Sequence, residues 1–337
     1  RWPDARRWTG RVRGGADAGR QSPVSDGQRG GYAASRRFQR GARGAGACVL
    51  VPERTPGDGG NGAEGPIRGA DIKGAHRNRE WKASALVLDL DGTLINAQDA
   101  LSPRVIEAVG RASKHVPVAI ASGREPADVA RYARELGLRT PQISDNGARI
   151  LNPVDNSTIE AHLLDEADAR SIIAALGPRG MRFFAVDDWH LARSVADIET
   201  WQITVIAAST YDRDAPKDFQ EATVRAAVDL ASEQVAAILS VGADGKRWYV
   251  NYTRKGVDKG TALRSWARRL GVSLDGVVFV GDSLNDVEAF GVTGLPVAMG
   301  SASDEVRAAA TETVGDVYED GVVEAIERFI APTGQLF

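Results

Sequence analysis

Five short, mostly apolar runs constrain this chain more than anything else in it: ALVLDL (85–90), VPVAIA (116–121), PQIS (141–144), VVFVG (277–281) and LPVAM (295–299). Runs that are continuous in apolar character, rather than apolar at alternate positions, suit strands covered on both faces, which is the condition of a parallel sheet. Helix signals lie between them. Ser102 is placed to cap a helix with Pro103 in its first turn, PADVARYARELG closes at Gly137, and VDKGTALRSWARRLG closes at Gly271. DEVRAAA after the last run and VVEAIERFI after Gly321 continue the alternation. This order of elements predicts an α/β fold built on a parallel sheet.

Two segments depart from that rhythm. Residues 151–254 mix helix candidates (DEADARSIIAALG, FQEATVRAAVDLA) with strand-like runs (MRFFAV, WQITVIAAS, AILSVG, KRWYVNY), which predicts an inserted α+β domain with an antiparallel sheet. Residues 1–84 carry 17 Lys+Arg against 8 Asp+Glu and 17 of the 37 glycines, with no apolar periodicity that could bury a face. Such a stretch cannot offset its ordering entropy and is expected to be disordered. As an RNA-binding arm it would want spaced aromatics, yet Trp2, Trp8, Tyr32 and Phe38 are sparse; as a transit peptide it would not carry Asp4, Asp17 and Asp26. The chain starts at Arg1 and has methionine only at 181 and 299, so the segment reads as a fragment or an over-extended frame. The expected division is therefore an extension (1–84), a core (85–150 with 255–331) and an insertion (151–254).

Composition narrows the classes of function. No apolar run approaches the ~20 residues of a spanning helix. The single cysteine, Cys48, cannot form an internal disulfide, which suits a reducing, cytoplasmic setting. His76, His115, His162 and His190 are too scattered for zinc, and a net charge of −3 argues against nucleic acid. Nothing speaks to oligomeric state.

The chemistry sits at strand ends. Asp89 and Asp91, in DLDGTL, stand at the carboxyl end of the first apolar run and project to the same side of an extended chain. Two carboxylates so placed resist joint ionisation unless a cation or proton holds them. Gly92 allows a sharp turn, which Thr93 can help organise. VVFVGDSLND repeats the pattern with Asp282 and Asp286, beside Asn285. Four carboxylates from two strand ends make a hard oxygen site of the kind Mg²⁺ prefers. Ser122 and Gly123 in ASGR and Lys259 in VDKGTAL could neutralise phosphate oxygens. Singly, each has an ordinary reading: a solvated turn, a capped loop, an exposed lysine.

Together, DLDGTL, ASGR, VDKGTAL and GDSLND resemble the four motifs of the haloacid dehalogenase superfamily of phosphohydrolases, in order, over about residues 84–331. The large insertion between the second and third, with SDNGARI (144–150) and EDGVVEAI (319–326), is similar to the Cof-type branch, subclass IIB. The resemblance implies a Rossmann-like core with an inserted α+β cap and Mg²⁺-dependent hydrolysis of a small phosphorylated metabolite, a sugar phosphate. It implies Asp89 as nucleophile and Asp91 as general acid and base. Mg²⁺ would be held by Asp89, the Asp91 carbonyl, Asp282 and Asp286. Ser122, Gly123 and Lys259 would bind phosphate, with Thr93 and Asn285 in support. Ser301 and Ala289 depart from the asparagine and methionine common in this branch.

Substrate choice is expected in the cap, where AVDDWHLARS groups Asp187, Asp188, His190 and Arg193, and near the core motifs at Arg124 and Asn146. The same hairpin-like letters fit a plain turn, and Trp189 and Trp201 fit packing. Narrower alternatives are a phosphoglycolate or mannosyl-3-phosphoglycerate phosphatase and a phosphosugar mutase. A binding protein on the same scaffold is a further alternative, although it would be expected to have lost one of the four carboxylates.

Overall fold

A computed structural model of the chain describes residues 81–330 apart from 213 and 243–245. The expected disorder of 1–84 thus falls almost wholly outside the described residues. Strands β1 (Ala85–Leu88), β2 (Val118–Ile120), β11 (Val277–Gly281), β12 (Leu295–Ala298) and β13 (Glu312–Thr313) form a parallel sheet in the order β13-β12-β11-β1-β2. β3 (Gln142–Ser144) continues it through an Ala121–Ile143 bridge, reinforced where the buried Gln142 Oε1 accepts the Ile120 N–H at 2.7 Å. Here a side-chain amide stands in for a ladder carbonyl.

Alternate residues of the sheet feed two apolar layers, as the period of 2 requires. Leu86, Leu88, Ile120, Val278 and Val280 pack under α1 (Pro103–Ala112), α2 (Pro126–Glu135) and α8 (Gly321–Phe329). Ala85, Val87, Ala119 and Phe279 pack under α5 (Lys259–Leu270) and the short α6 (Val287–Phe290). The terminal signals are realised: Ser102 Oγ accepts the Val105 N–H at 3.2 Å, and Gly137 and Gly271 take left-handed conformations after their helices. α7 (Asp304–Ala309) follows β12.

The insertion is an antiparallel sheet in the order β7-β6-β8-β10-β9, made of β6 (Met181–Asp187), β7 (His190–Ala192), β8 (Ile203–Thr210), β9 (Val235–Val241) and β10 (Trp248–Arg254). One face buries Met181, Ala185, Ile206, Ala208, Val250 and Tyr252 against α3 (Glu166–Leu176) and α4 (Lys217–Ala226). β4 (Arg149–Asn152) and β5 (Ser157–Ala161) pair antiparallel with β3, so the expected start of the insertion at 151 falls inside a strand that bonds to β3 and β5.

Because β1 lies between β11 and β2, the chain turns outward in both directions from its carboxyl end. Crevices that receive ligands form at such switch points.

Candidate active site

Asp89 leaves β1 and Asp282 leaves β11 side by side. Carboxylate oxygens of Asp89, Asp282 and Asp286 lie within 4.8 Å of one another. Lys259, the first residue of α5 and 1% exposed, places Nζ 2.5 Å from Asp89 Oδ1 and 2.6 Å from Asp286 Oδ1. Asp286 Oδ2 accepts the N–H groups of Asp282 and Ser283, both at 3.0 Å, which fixes the loop after β11.

The two glycines at these turns leave no room for a side chain. Gly92 has φ +78, and a Cβ there would come within 2.2 Å of Asp282 Oδ2; one on Gly281 would reach 2.5 Å from Asp286 Cγ. Thr93 does not organise its turn as expected. Its hydroxyl is buried with no partner among the described residues, and the turn closes on backbone bonds from Leu94 and Ile95 to the Leu90 carbonyl.

The electrostatics follow from crowding acids in a dry place. Burial pushes the Asp89 carboxyl from its ordinary 3.8 up to about 7, with Lys259 opposing and Asp286 adding to the rise. Burial, then Asp89 and Asp286, push Asp282 well up. For Lys259, burial disfavours the charge, but Asp286 and Asp89 outweigh it and its pKa is raised. Asp282 Oδ1 is buried without a hydrogen-bond partner among the described residues. Oxygen donors of this density and charge fit a small hard cation such as Mg²⁺.

Ser122 is buried just past β2, its Oγ accepting the Arg124 N–H at 3.1 Å. Asn146, with φ +54, donates its backbone N–H to the Ser122 carbonyl, and its Oδ1 accepts Asn285 Nδ2 at 2.7 Å. The ends of β1, β2, β3, β11 and α5 thus meet in one group containing Asp89, Ser122, Gly123, Asn146, Lys259, Asp282, Asn285 and Asp286.

Arg124 joins differently from the expectation of substrate contact. Its Nε and Nη2 hold the Asp91 carboxylate at 2.9 and 2.6 Å, while its remaining donors go to Asp99 and, at 3.1 Å, to Asp128. Three carboxylates thereby engage most of its N–H donors. Asp99 and Asp128 carried no sequence signal beyond their charge.

The cap candidates are not brought into the group. Asp187 is structural: its carboxylate accepts the N–H groups of Glu199, Thr200 and Gln202 and the Thr200 hydroxyl, and those bonds lower its pKa although burial opposes them. His190 lies exposed on β7, the edge of the sheet opposite β9, and Arg193 follows it. It is β9 that meets the acidic loop: the Val241 N–H donates to Ser283 Oγ at 3.1 Å, and Leu284 packs against both the cap cluster and the core. Leu284 was legible only as an apolar residue inside an acidic motif. Trp189 packs against the core cluster, as its packing reading holds.

The chain matches the haloacid dehalogenase-like hydrolase family over residues 86–326 and belongs to it. It is 29% identical to the pyridoxal phosphate phosphatase YbhA of Escherichia coli over 269 residues, 72% of this chain and 96% of that protein. It is 32% identical to a phosphoglycolate phosphatase of Halorubrum lacusprofundi over 237 residues, 70% of this chain and 92% of that one. Among solved structures it shares its fold with a subclass IIB sugar phosphatase (TM-score 0.59, 19% identity), covering 73% of this chain and 98% of the other. The chain is a phosphoric monoester hydrolase of this superfamily.

Proposed function

We propose that this phosphatase is Mg²⁺-dependent, acts on a small phosphorylated metabolite of the sugar-phosphate class, and works through an aspartyl-phosphate on Asp89. The observation that carries the reading is the meeting of Asp89, Asp282 and Asp286 around Lys259. Asp89 attacks phosphorus as the ester P–O bond breaks, and Asp91 delivers a proton to the departing alkoxide. Asp91 then takes a proton from water, whose oxygen attacks phosphorus and frees Asp89 and inorganic phosphate. Ser122, the Gly123 amide and Lys259 bind the phosphoryl oxygens. Arg124 keeps both Asp91 oxygens oriented, and Asn285 ties the acidic loop to Asn146. Asp89, Asp282, Asp286 and the Asp91 carbonyl would hold Mg²⁺, which when bound neutralises the acids and the charge on the transferring group.

In this reading residues 85–150 and 255–331 are the catalytic core, with β5 belonging to it by its hydrogen bonds, and the rest of 151–254 is the cap. A cap seated on the acidic loop excludes water and favours small substrates. The lone Cys48 supports a cytoplasmic setting, and no helix among the described residues is long and apolar enough to cross a membrane.

Phosphate release from a panel of sugar phosphates, phosphoglycolate and pyridoxal phosphate, with Mg²⁺ or EDTA, tests the proposal. EDTA-sensitive turnover, fastest on a sugar phosphate, is expected. Preference for phosphoglycolate, the substrate named for the 32% identical relative, would overturn the sugar-phosphate class in favour of that alternative. Turnover unaffected by EDTA would overturn the metal assignment.

A further inference from the structure

Arg149, in β4, is 2% exposed and permanently charged. Its Nε donates to Asp145 Oδ2 at 3.1 Å, Nη1 to Thr158 Oγ1 at 2.6 Å, and Nη2 to the Asp188 carbonyl at 2.6 Å. Asp145 is fully buried, and its Oδ2 also accepts the Thr204 hydroxyl at 2.9 Å. Asp188 and Thr204 belong to the cap; Asp145, Arg149 and Thr158 do not. Trp189 roofs the pair, its Nε1 donating to Thr158 Oγ1 at 3.0 Å and its ring centroid 5.9 Å from the guanidinium carbon. A buried carboxylate–guanidinium pair is thus completed by two groups from the cap.

Stability alone is a poor reason for such a pair, because apolar side chains of similar volume commonly hold two surfaces as well. What the pair adds is direction. Asp145 and Asn146 both have φ +54, a conformation that residues other than glycine keep only when their surroundings impose it. The Asp145 N–H donates to the Arg124 carbonyl, and the Asn146 N–H to that of Ser122. The groups that hold the Asp145 carboxylate therefore also set where the Asn146 side chain lies between Gly123 and Asn285. Asn146 Nδ2 is buried there with no partner among the described residues.

We propose that Asp145 and Arg149 are positioning residues: they receive Thr204 and Asp188 when the cap seats, and so hold Asn146 Nδ2 toward an oxygen of the phosphoryl group. This rests on the phosphatase reading. It predicts a site whose last phosphoryl donor comes into place only with the cap down.

Thr204→Val is nearly isosteric and removes only the cap hydroxyl. The expected result is a fall in kcat of about 10-fold, the worth of one hydrogen bond to a charged group, with KM changed less than about 3-fold. Arg149→Lys keeps the charge but cannot make three directed bonds, so it should lose kcat as Arg149→Met does while unfolding less readily. Adding Thr204→Val to Asn146→Ala should cost nothing further, since the hydroxyl acts through that amide. Hydrogen exchange at the Asn146 N–H should quicken in Thr204→Val whether or not the enzyme turns over. If Thr204→Val leaves kcat within 2-fold, or its effect multiplies with that of Asn146→Ala, the positioning role is overturned while the phosphatase reading stands. If the parent protein releases no phosphate from any ester in Mg²⁺, it is the phosphatase reading that fails.

Discussion

The carboxyl ends of β1, β2 and β11 and the hairpin joining β6 to β7 both display acids and bases in short clusters, yet the fold uses them in opposite ways. Strand ends of a parallel sheet share one edge, so Asp89, Ser122 and Asp282, far apart in sequence, are forced together, the first two buried and Asp282 partly so. The antiparallel hairpin meets the core only through its turn, where the Asp188 carbonyl accepts from Arg149 and Trp189 donates to Thr158, and its charged side chains share no strand-end edge. Asp187 turns back to hold its own loop and His190 points to solvent. Charge clusters carry chemistry where topology gives them a meeting place.

Breaking that contrast starts with the largest effect. Asp89→Asn should lower turnover by at least ~10³-fold with the fold intact, read as phosphate release alongside a thermal melt. Next, Gly92→Ala should cost about 10²-fold or more, because its Cβ would displace the Asp282 carboxylate, and calorimetry should show weakened Mg²⁺ binding.

The same crowding predicts a pH dependence of stability. Asp89 titrates near 7 in the fold against 3.8 ordinarily, so the folded state holds its proton through that window. Stability of the metal-free protein should therefore fall as pH rises from about 4 to 7. Asp89→Asn should make that slope shallower, leaving the part carried by the buried carboxyls of Asp282 and Asp145, as read from denaturant midpoints across the window.

Away from the site, burial disfavours the Glu160 charge, but Ser265, Arg269 and His162 outweigh it and bring its pKa to about 2. Its lowered pKa gives stability that is present above about 4.5 and lost as pH falls toward 2. Glu160→Gln should cost ~1 kcal/mol at neutral pH and little in acid, with turnover unchanged. The smallest effect belongs to the hairpin: His190→Ala and Arg193→Ala should alter kcat/KM by less than about 2-fold on every substrate. A selective loss on one substrate would return that edge to the site.

The sheet and the acids were legible because both depend on local pattern. Continuous apolar runs name buried parallel strands, and motif spacing places Asp89, Ser122 and Asp282 at their ends and Lys259 at the start of a helix. What stayed hidden depends on pairings made in space. Arg124 reads as a ligand-binding cation until Asp91, Asp99 and Asp128 are seen to surround it. Asp145 and Arg149 sit four apart in SDNGARI, a spacing that hints at an ion pair, but only the packed cap shows that both are buried. Leu284 looks incidental until β9 lies over it.

The seating of β9 on the Ser283–Leu284 corner has a corollary for how this protein behaves when concentrated. An outermost strand with bare amide groups is a template on which other chains can add themselves. One end of that rim is shielded by the very turn that gathers the acids. Any long-lived swing of the lid would leave it uncovered, so clumping and sluggish closure should appear in the same variants.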